Sequence, residues 1–496
     1  MLSCLGQRRL LCGLFLFLVL TGQAVAQEIV PRLSRVQAST QSAVGPTTGW
    51  FTVIGLQVEF QPDTTQYTSG DGTFLSDPYG GLVPKVDPLP HDTSFFGAHL
   101  TALHNYLDSV SDQQVKIAPY LLPDIVRVKG RMEEYSPIGL DAGSDDQLSK
   151  LALLVSEAWT LADQQVDFIV PVGLDPERTL FVLFHAGIGR DIELVGTTLD
   201  KTPLDIPSIY FDGASLDRLG AGDILFKGMS VSNTAVIPRS ETRRGYDFLS
   251  DQSFLVELTT NGLLAASFFN FLGVPDLFNT ATGESAIGPF GLMDPLGIFA
   301  YNGLIPPEPG AWTKVFLGWV KPQEVRNTFP VDLTLRAASG MNSDIARVWI
   351  SDSEYFLVEN RNRDVNGDGL TLRVWNDGVV TDQYFENGDA DFNSSTIEGF
   401  SGGVVIGVDE YDWALPGGLD ENDNALLGGA LIWHIDEQQV KSGLASNSVN
   451  ADPSRRGVDV EEADSGQDLG YPSQSLFGPA LDLGTPFDFF YLDNPA

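Results

Sequence analysis

The pattern of apolar and polar residues divides the chain into two parts. Before Pro322, apolar runs typical of buried strands, at 50–60 and 179–189, alternate with helix-spaced segments at 91–107 and 151–162. After Pro322 the apolar runs are short and β-rich, and acidic, glycine-bearing loops separate them. The change predicts an α+β domain followed by an all-β domain of the sandwich type.

One segment of the first part, residues 255–272, is almost entirely apolar. A helix that is hydrophobic all round is expected in the interior of its domain. Gly273 suits the position just after a helix, and Pro275 prevents its continuation. The sequence therefore predicts a buried central helix that ends at Leu272.

The first 26 residues have the order of a secretory signal peptide. Arg8 and Arg9 precede an apolar stretch at 10–20, and Ala24-Val25-Ala26 fits the small-x-small cleavage rule. An uncleaved membrane anchor is the alternative. We expect a secreted protein, extracellular or periplasmic, without membrane insertion. Its predicted organisation is signal peptide 1–26, first domain 27–325 and β-sandwich-like domain 326–496.

Charge and cysteine content narrow the chemistry. The chain has 29 basic and 66 acidic residues among 496, a net charge of −37. Nucleic acids and anionic membranes are poor partners for such a surface. Both cysteines, Cys4 and Cys12, lie in the expected signal peptide, so the mature chain has no thiol for a disulfide or for metal binding.

Three sequence blocks follow the apolar segment in a fixed order: LGVPDLFN at 272–279, GPFGLMD at 288–294 and AWTKVFLGWVKP at 311–322. The chain here resembles the secreted zinc metallopeptidases of the immune inhibitor A type. Their motif is a His-Glu-x-x-His helix, then a Leu-Gly-Leu-Pro-Asp turn and a methionine turn. The resemblance implies a metallopeptidase-like fold for 27–325 and places Met293 in the methionine turn. It extends through EYFLVENRNR, GGALIWHIDE and GVDVEEADSGQDLGY.

The residues at the motif itself depart from that family. Ala266 and Asn270 stand at the two histidine places, and Ser267 stands at the glutamate place. Positions i and i+4 share a helix face, but Ala266 has no donor atom and Asn270 offers only a neutral amide. Ser267 cannot act as the base that activates a metal-bound water. Asp276 is either a vestigial third ligand or a cap of the turn after Pro275, and zinc is not expected.

The five histidines do not rebuild the site, because no two of them lie four residues apart. We expect His91 to cap a helix or face solvent, and His185 and His434 to end or border strands. His99 and His104 lie five residues apart and would diverge on a helix.

A candidate calcium loop, DVNGDG, spans 364–369. Asp364, Asn366 and Asp368 alternate as oxygen ligands, and a glycine is sixth, but the twelfth position is Trp375 instead of glutamate. A solvated acidic turn is the alternative. A second loop could complete the ligand set, from one of the pairs Asp389 and Asp391, Asp420 and Asp423, or Asp464 and Asp468.

Two functions follow from these observations. The first is a catalytically inactive, metallopeptidase-like protein that binds a protein, peptide or cell-surface ligand. The second is a secreted metal-dependent peptidase that uses replacement ligands. The missing histidines and glutamate favour the first, whereas analogy of fold is the only support for the second.

Overall fold

The computed structural model describes residues 45–492 and residue 494, except for short internal gaps. These are 140–141, 193–201, 248–250, 327–328, 341, 388–391, 393–395, 420–424 and 476–477. The expected signal peptide, residues 1–26, lies outside the described residues.

Helices and strands both occur along the whole described part of the chain. The α-helices are α1 (Thr93–Val110), α2 (Met132–Tyr135), α3 (Asp145–Gln165), α4 (Gly213–Arg218), α5 (Asn261–Phe271), α6 (Pro295–Ile298), α7 (Ala311–Phe316) and α8 (Glu437–Gly443). Single 3-10 turns lie at Pro176–Arg178, Gly288–Phe290, Ala300–Gly303, Tyr411–Ala414, Leu444–Ser446 and Pro486–Asp488.

The strands form seven sheets in the described part of the chain. Those of the first part are β1 (Gly49–Glu59), β2 (Val115–Arg127), β3 (Thr179–Ile188), β4 (Ile209–Asp212), β5 (Leu225–Phe226), β6 (Met229–Ser230), β7 (Asn233–Ser240), β8 (Arg243–Asp247) and β9 (Gln252–Val256). Those of the second part are β10 (Gln323–Val325), β11 (Ile345–Trp349), β12 (Glu354–Asn362), β13 (Leu370–Asn376), β14 (Val379–Phe385), β15 (Val404–Val408), β16 (Gly418–Leu419), β17 (Ala425–Leu426), β18 (Gly428–Asp436), β19 (Val458–Glu461), β20 (Pro472–Ser475) and β21 (Gly478–Leu481). The protein is therefore mixed α+β.

The main sheet of the first part has the order β2-β1-β3-β7-β4. Its first four strands run parallel, and β4 is an antiparallel edge. Because neighbouring residues of a strand point to opposite faces, Val53 belongs to the apolar cluster that includes α1 and α5, and Ile54 to the cluster that includes α3. Both faces are covered, as a parallel sheet requires.

The two larger sheets of the second part are β10-β11-β12-β18-β19 and β14-β13-β15. The runs ARVWI, EYFLVEN, LTLRVW, GVVIGV and ALIWHI all lie on strands of these sheets, as their sequence pattern predicts. Helix α7 packs against β12 and β18, while α1 packs against β15. Their arrangement as a sandwich stays a prediction.

A buried arginine connects the two parts. Arg361, in β12, is fully buried and pairs with Asp412 at 2.6 Å. It also donates to the backbone oxygens of Phe290 at 2.8 Å and Glu308 at 3.2 Å. The described residues belong to one compact unit, 31–496, and the boundary at residue 325 stays a prediction.

The predicted helix over 255–272 is wrong at its beginning. Residues Gln252–Val256 form β9, which pairs with β8 and places Leu255 opposite Arg244. Helix α5 begins only at Asn261, after Thr260 as its N-cap residue. The polar residues Glu257, Thr259 and Thr260 interrupt the apolar segment, and they lie in the loop between β9 and α5.

Among the described residues, no helix combines the length and the apolar character that crossing a bilayer requires.

Candidate functional site

Helix α5 carries the positions that the sequence singled out, and it lies in the core. It packs against α1, α6, β4 and β7. Phe268 meets Phe51 of β1 edge-to-face, with ring centroids 5.7 Å apart. The helix ends as predicted: Leu272 is its C-cap, and Gly273 follows with a φ of +90° that favours glycine.

Close packing against α6 depends on a glycine at the second position of α5. A Cβ added to Gly262 would lie 1.8 Å from the carbonyl oxygen of Ile298. Any larger residue would therefore push α5 away from α6, and the positions at 266–270 would move with it.

The structure places the three motif positions at or near this buried helix surface. Ala266 is 5% exposed and Ser267 is 6% exposed. Asn270 is half-buried, and its Nδ2 donates to the backbone oxygen of Val274 at 3.0 Å. This bond satisfies an amide that would be costly to bury without a partner.

Asp276 lies beside Asn270, and its carboxylate is held by two amide side chains. Asn270 Nδ2 donates to Asp276 Oδ1 at 3.4 Å, and Asn447 Nδ2 donates to Asp276 Oδ2 at 2.6 Å. Asn447 Oδ1 in turn accepts from the backbone N–H of Asp276 at 2.8 Å. Burial raises the pKa of Asp276, and the two amides lower it in part. In the described residues these bonds come from side chains outside its own turn, so Asp276 is no turn cap.

Asn447 is the residue of this network that the sequence analysis missed. It has a left-handed φ of 49°, which asparagine tolerates better than most residues, and it follows the 3-10 turn Leu444–Ser446. It lies 171 residues from Asp276 in the chain. No local pattern around Asn447 indicates such a partner.

Met293, which the resemblance assigns to a methionine turn, lies next to this network. Met293 is 1% exposed, and its backbone oxygen accepts from Leu277 N, directly after Asp276, at 2.8 Å. The sulfur-bearing side chain is therefore part of the core beneath the turn at 276.

The donor atoms at this place do not fit a zinc ion. Zinc in peptidase sites takes imidazole nitrogens and carboxylate oxygens. Ala266 supplies no donor, and Asn270 directs its N–H group at Asp276, whose oxygens are already hydrogen-bonded. The arrangement is a closed hydrogen-bond network, which we call the Asp276 network: Asn270, Asp276 and Asn447.

Three histidines, His91, His99 and His185, are buried elsewhere in the core, and His104 and His434 are half-buried. His91 is 1% exposed, so the expectation that it faces solvent or caps a helix is wrong; Asp92 caps α1 instead. His91 Nδ1 accepts from Arg239 Nε at 2.8 Å. His99 Nδ1 lies 2.7 Å from Asn261 Oδ1 at the start of α5. Burial lowers the pKa of His99 to about 4, so it stays neutral at physiological pH.

The candidate calcium loop is tied by its own backbone. Asp364 is buried, and its carboxylate accepts from the N–H groups of Gly367 at 2.7 Å and Gly369 at 3.1 Å. Asn366 and Asp368 are exposed. Glu410, which the sequence analysis did not identify, accepts from the loop N–H of Asn366 at 3.2 Å, and burial raises its pKa to about 7.

A separate group of three carboxylates, Glu462, Asp464 and Asp488, has ligand atoms within 4.8 Å of one another. Burial raises the pKa of Glu462 to about 7 and that of Asp488 to about 6. The sequence analysis named only Asp464 of this group, together with Asp468. The other proposed partners, Asp389, Asp391, Asp420 and Asp423, lie outside the described residues.

Comparisons with known proteins do not assign the chain to a family. No model of a known protein family matches the chain, and no curated protein matches it.

Proposed function

We propose that the protein is a secreted, catalytically inactive relative of the immune inhibitor A-type metallopeptidases. In this proposal it acts as a binding module for a protein, peptide or cell-surface ligand. The observation that supports the proposal most is the Asp276 network. Two amide side chains donate to both oxygens of Asp276, at the place that the resemblance assigns to a third zinc ligand.

The proposal includes a metallopeptidase-like domain at 27–325 and a β-sandwich-like domain at 326–496. Its support is the position of α5, which packs against β7 and the antiparallel edge strand β4 of the first sheet. Further support comes from the two larger sheets of the second part, which are separate from that first sheet; one of their strands, β10 (Gln323–Val325), precedes the proposed boundary.

The second candidate is a secreted metal-dependent peptidase with replacement ligands. It needs a group of histidines and carboxylates around one point. Among the residues that the structure describes, the one such group of three is Glu462, Asp464 and Asp488. All three supply hard oxygen ligands, which suit calcium better than catalytic zinc. The geometry therefore favours the inactive protein.

A metal and activity assay separates the two candidates. We expect the purified mature protein to contain no stoichiometric zinc and to leave casein intact, with or without added zinc. Stoichiometric zinc, together with casein digestion that is lost on chelation, would overturn the inactive reading.

Restoring the motif tests whether the Asp276 network closes the site. The variant Ala266→His, Ser267→Glu, Asn270→His is compared with the same variant carrying Asn447→Gly. Glycine keeps the left-handed φ at 447 while releasing Asp276 Oδ2. We expect the fourfold variant to bind zinc more tightly than the triple variant, and Asp276→Ala in the fourfold background to abolish the gain. Equal zinc binding by all three variants would show that Asp276 is not a ligand of the restored zinc site.

Export has its own test. N-terminal sequencing of protein from the culture medium or the periplasm should begin at Gln27. Full-length chain retained in the membrane fraction would contradict secretion.

A further inference from the structure

Strand β14 (Val379–Phe385) lies at one edge of the sheet β14-β13-β15. It pairs antiparallel with β13 and with no other strand that the structure describes. Among the described residues, no loop or side chain forms a hydrogen bond with the backbone of β14 on its other side. The outer N–H and C=O groups of an edge strand can pair with a further strand. This edge is therefore available for pairing.

The opposite edge of the same sheet, β15, is closed by other parts of the chain. It packs against α1, and Asn105 Nδ2 of that helix donates to the backbone oxygen of Ile406 at 2.6 Å. Asn261 Nδ2, at the start of α5, donates to the backbone oxygen of Val405 at 2.9 Å. Backbone groups that are satisfied in this way are not free to pair with a new strand. The sheet can therefore be extended on the β14 side only.

The edge strands of the two five-stranded sheets have features that hinder pairing with another chain. Strand β2 contains Pro119 and Pro123, which have no N–H group to donate. Strand β4 is four residues long and buried, and β10 is three residues long. Strand β19 is four residues long and carries Asp459 and Glu461. Short, covered or charged edges resist pairing, whereas β14 has seven residues and no proline.

The exposed surface of β14 is largely apolar and has its one charge neutralised. Val379, Val380 and Tyr384 are 60%, 51% and 59% exposed. Asp382 is the only charged residue of the strand, and Arg373 of β13 pairs with it at 2.9 Å. A basic partner, which the net charge of −37 would otherwise favour, finds no free counter-charge at this edge. A second copy of the chain presents the same neutral edge, so the two edges match in charge.

We propose that β14 pairs antiparallel with β14 of a second copy of this chain, which joins the two three-stranded sheets into one continuous sheet. Opposite residues of an antiparallel pair point to the same face, so a two-fold dimer has one residue of β14 opposite its own counterpart. A centre at Asp382 would place two carboxylates opposite each other, which is destabilising. A centre at Thr381 avoids this, keeps most of the strand paired, and places Val380 opposite Asp382 of the second copy. The inference does not rest on the proposed function, because β14 lies outside α5 and the Asp276 network.

Sedimentation velocity of the full mature protein, from about 1 to about 100 µM, tests the proposal. The salt concentration is about 0.15 M, so that repulsion between the two acidic chains is screened beyond about 8 Å. We expect a reversible monomer–dimer equilibrium with a Kd in the micromolar range, because one pair of strands buries less than about 1,000 Å². Species larger than a dimer are not expected, because the β15 edge is closed. A monomer throughout this range, or open-ended association, would overturn the proposal.

Two lysine variants test the interface and its register. Thr381→Lys places two lysines opposite each other at the two-fold axis and should weaken the dimer about tenfold or more. Val380→Lys is the matched control: it changes the net charge by the same amount at the neighbouring exposed position, but it faces Asp382 of the second copy and should keep the dimer. Both positions are exposed, so in dilute solution both variants should melt like the unmodified protein. An unchanged dimer in Thr381→Lys, or equal weakening by the two variants, would contradict this pairing.

Discussion

Asp276 and Asp205 are two carboxylates in a mostly apolar part of the chain, and they differ in how many of their oxygens accept hydrogen bonds. Both oxygens of Asp276 accept from side chains of the protein itself. Asp205 has one oxygen satisfied by Ser69 and one with no partner. A completed network stabilises the fold, whereas a buried carboxylate oxygen without a hydrogen-bond donor costs free energy.

The largest expected effect on the free energy of unfolding is at Gly262, in helix α5. Gly262→Ala places a methyl group against the backbone oxygen of Ile298 and should lower the free energy of unfolding by about 3 kcal/mol. Gly97→Ala in α1 is the matched control. Its added Cβ meets no atom within 4 Å, so the helix propensity of alanine should stabilise it by about 1 kcal/mol. Urea unfolding measures both; equal effects would show that α5 is not closely packed.

The raised pKa of the Asp205 carboxyl group should make the stability of the protein depend on pH. Burial raises the pKa of Asp205 from 3.8 to about 6, so folding favours its protonated form. The stabilisation is complete below the unfolded pKa and is lost as pH rises through the folded pKa. Wild-type stability relative to Asp205→Asn should therefore fall by about 1.4 kcal/mol per pH unit between roughly pH 4 and 6. Urea unfolding at several pH values measures this difference, and a constant difference would contradict it.

The closed network should respond to loss of its distant amide. Asn447→Gly keeps the left-handed backbone but removes two hydrogen bonds to Asp276, which should cost about 2 kcal/mol. Asn342→Gly, at another left-handed position with an exposed side chain, is the control and should change stability little. If Asn447→Gly is neutral, the network does not stabilise the fold.

Calcium should give a small shift in the melting temperature. A cation that binds only the folded state stabilises it by about 2.7 kcal/mol at a hundredfold excess over its Kd, or about 2–3 °C for a chain of this length. Thermal melts with calcium and with chelator measure the shift. Asp364→Asn and Asp464→Asn identify which acidic site binds calcium. The shift in melting temperature should vanish in only one of these variants. Identical melts of the unmodified protein would rule against the calcium prediction.

Local patterns in the sequence predicted much of the fold, and contacts between distant residues account for what they missed. The period of apolar residues located β1, α1, α3, β3 and the strands after Pro322. Gly273 marked the end of α5 because its backbone conformation is a local property. The start of α5 was missed because the predicted helix included the polar residues Glu257, Thr259 and Thr260, which lie in the loop before it.

For the candidate sites, too, the sequence predicts some features and misses the contacts between distant residues. The resemblance placed Ala266 and Asn270 at the two histidine positions of the motif, and their side chains are the reason that zinc is not expected. The sequence could not show that Asn447 reaches Asp276 from 171 residues away, or that Ser69 reaches Asp205 from 136 residues away. Such pairings are set by how strands and loops meet, and neither member carries a local signal for the other.

The buried position of Arg361 affects how often the two parts of the chain separate and how easily proteases cut between them. The guanidinium holds Asp412, Glu359 and the backbone of the first part together with no access to water. Separating the two parts would leave these charges unpaired in an apolar interior, which costs about 3–5 kcal/mol. Local opening between them is therefore rare, and proteases have few chances to cut there. The chain has no cysteine after Cys12, so no disulfide can hold the two parts together, and this buried ion pair does so instead.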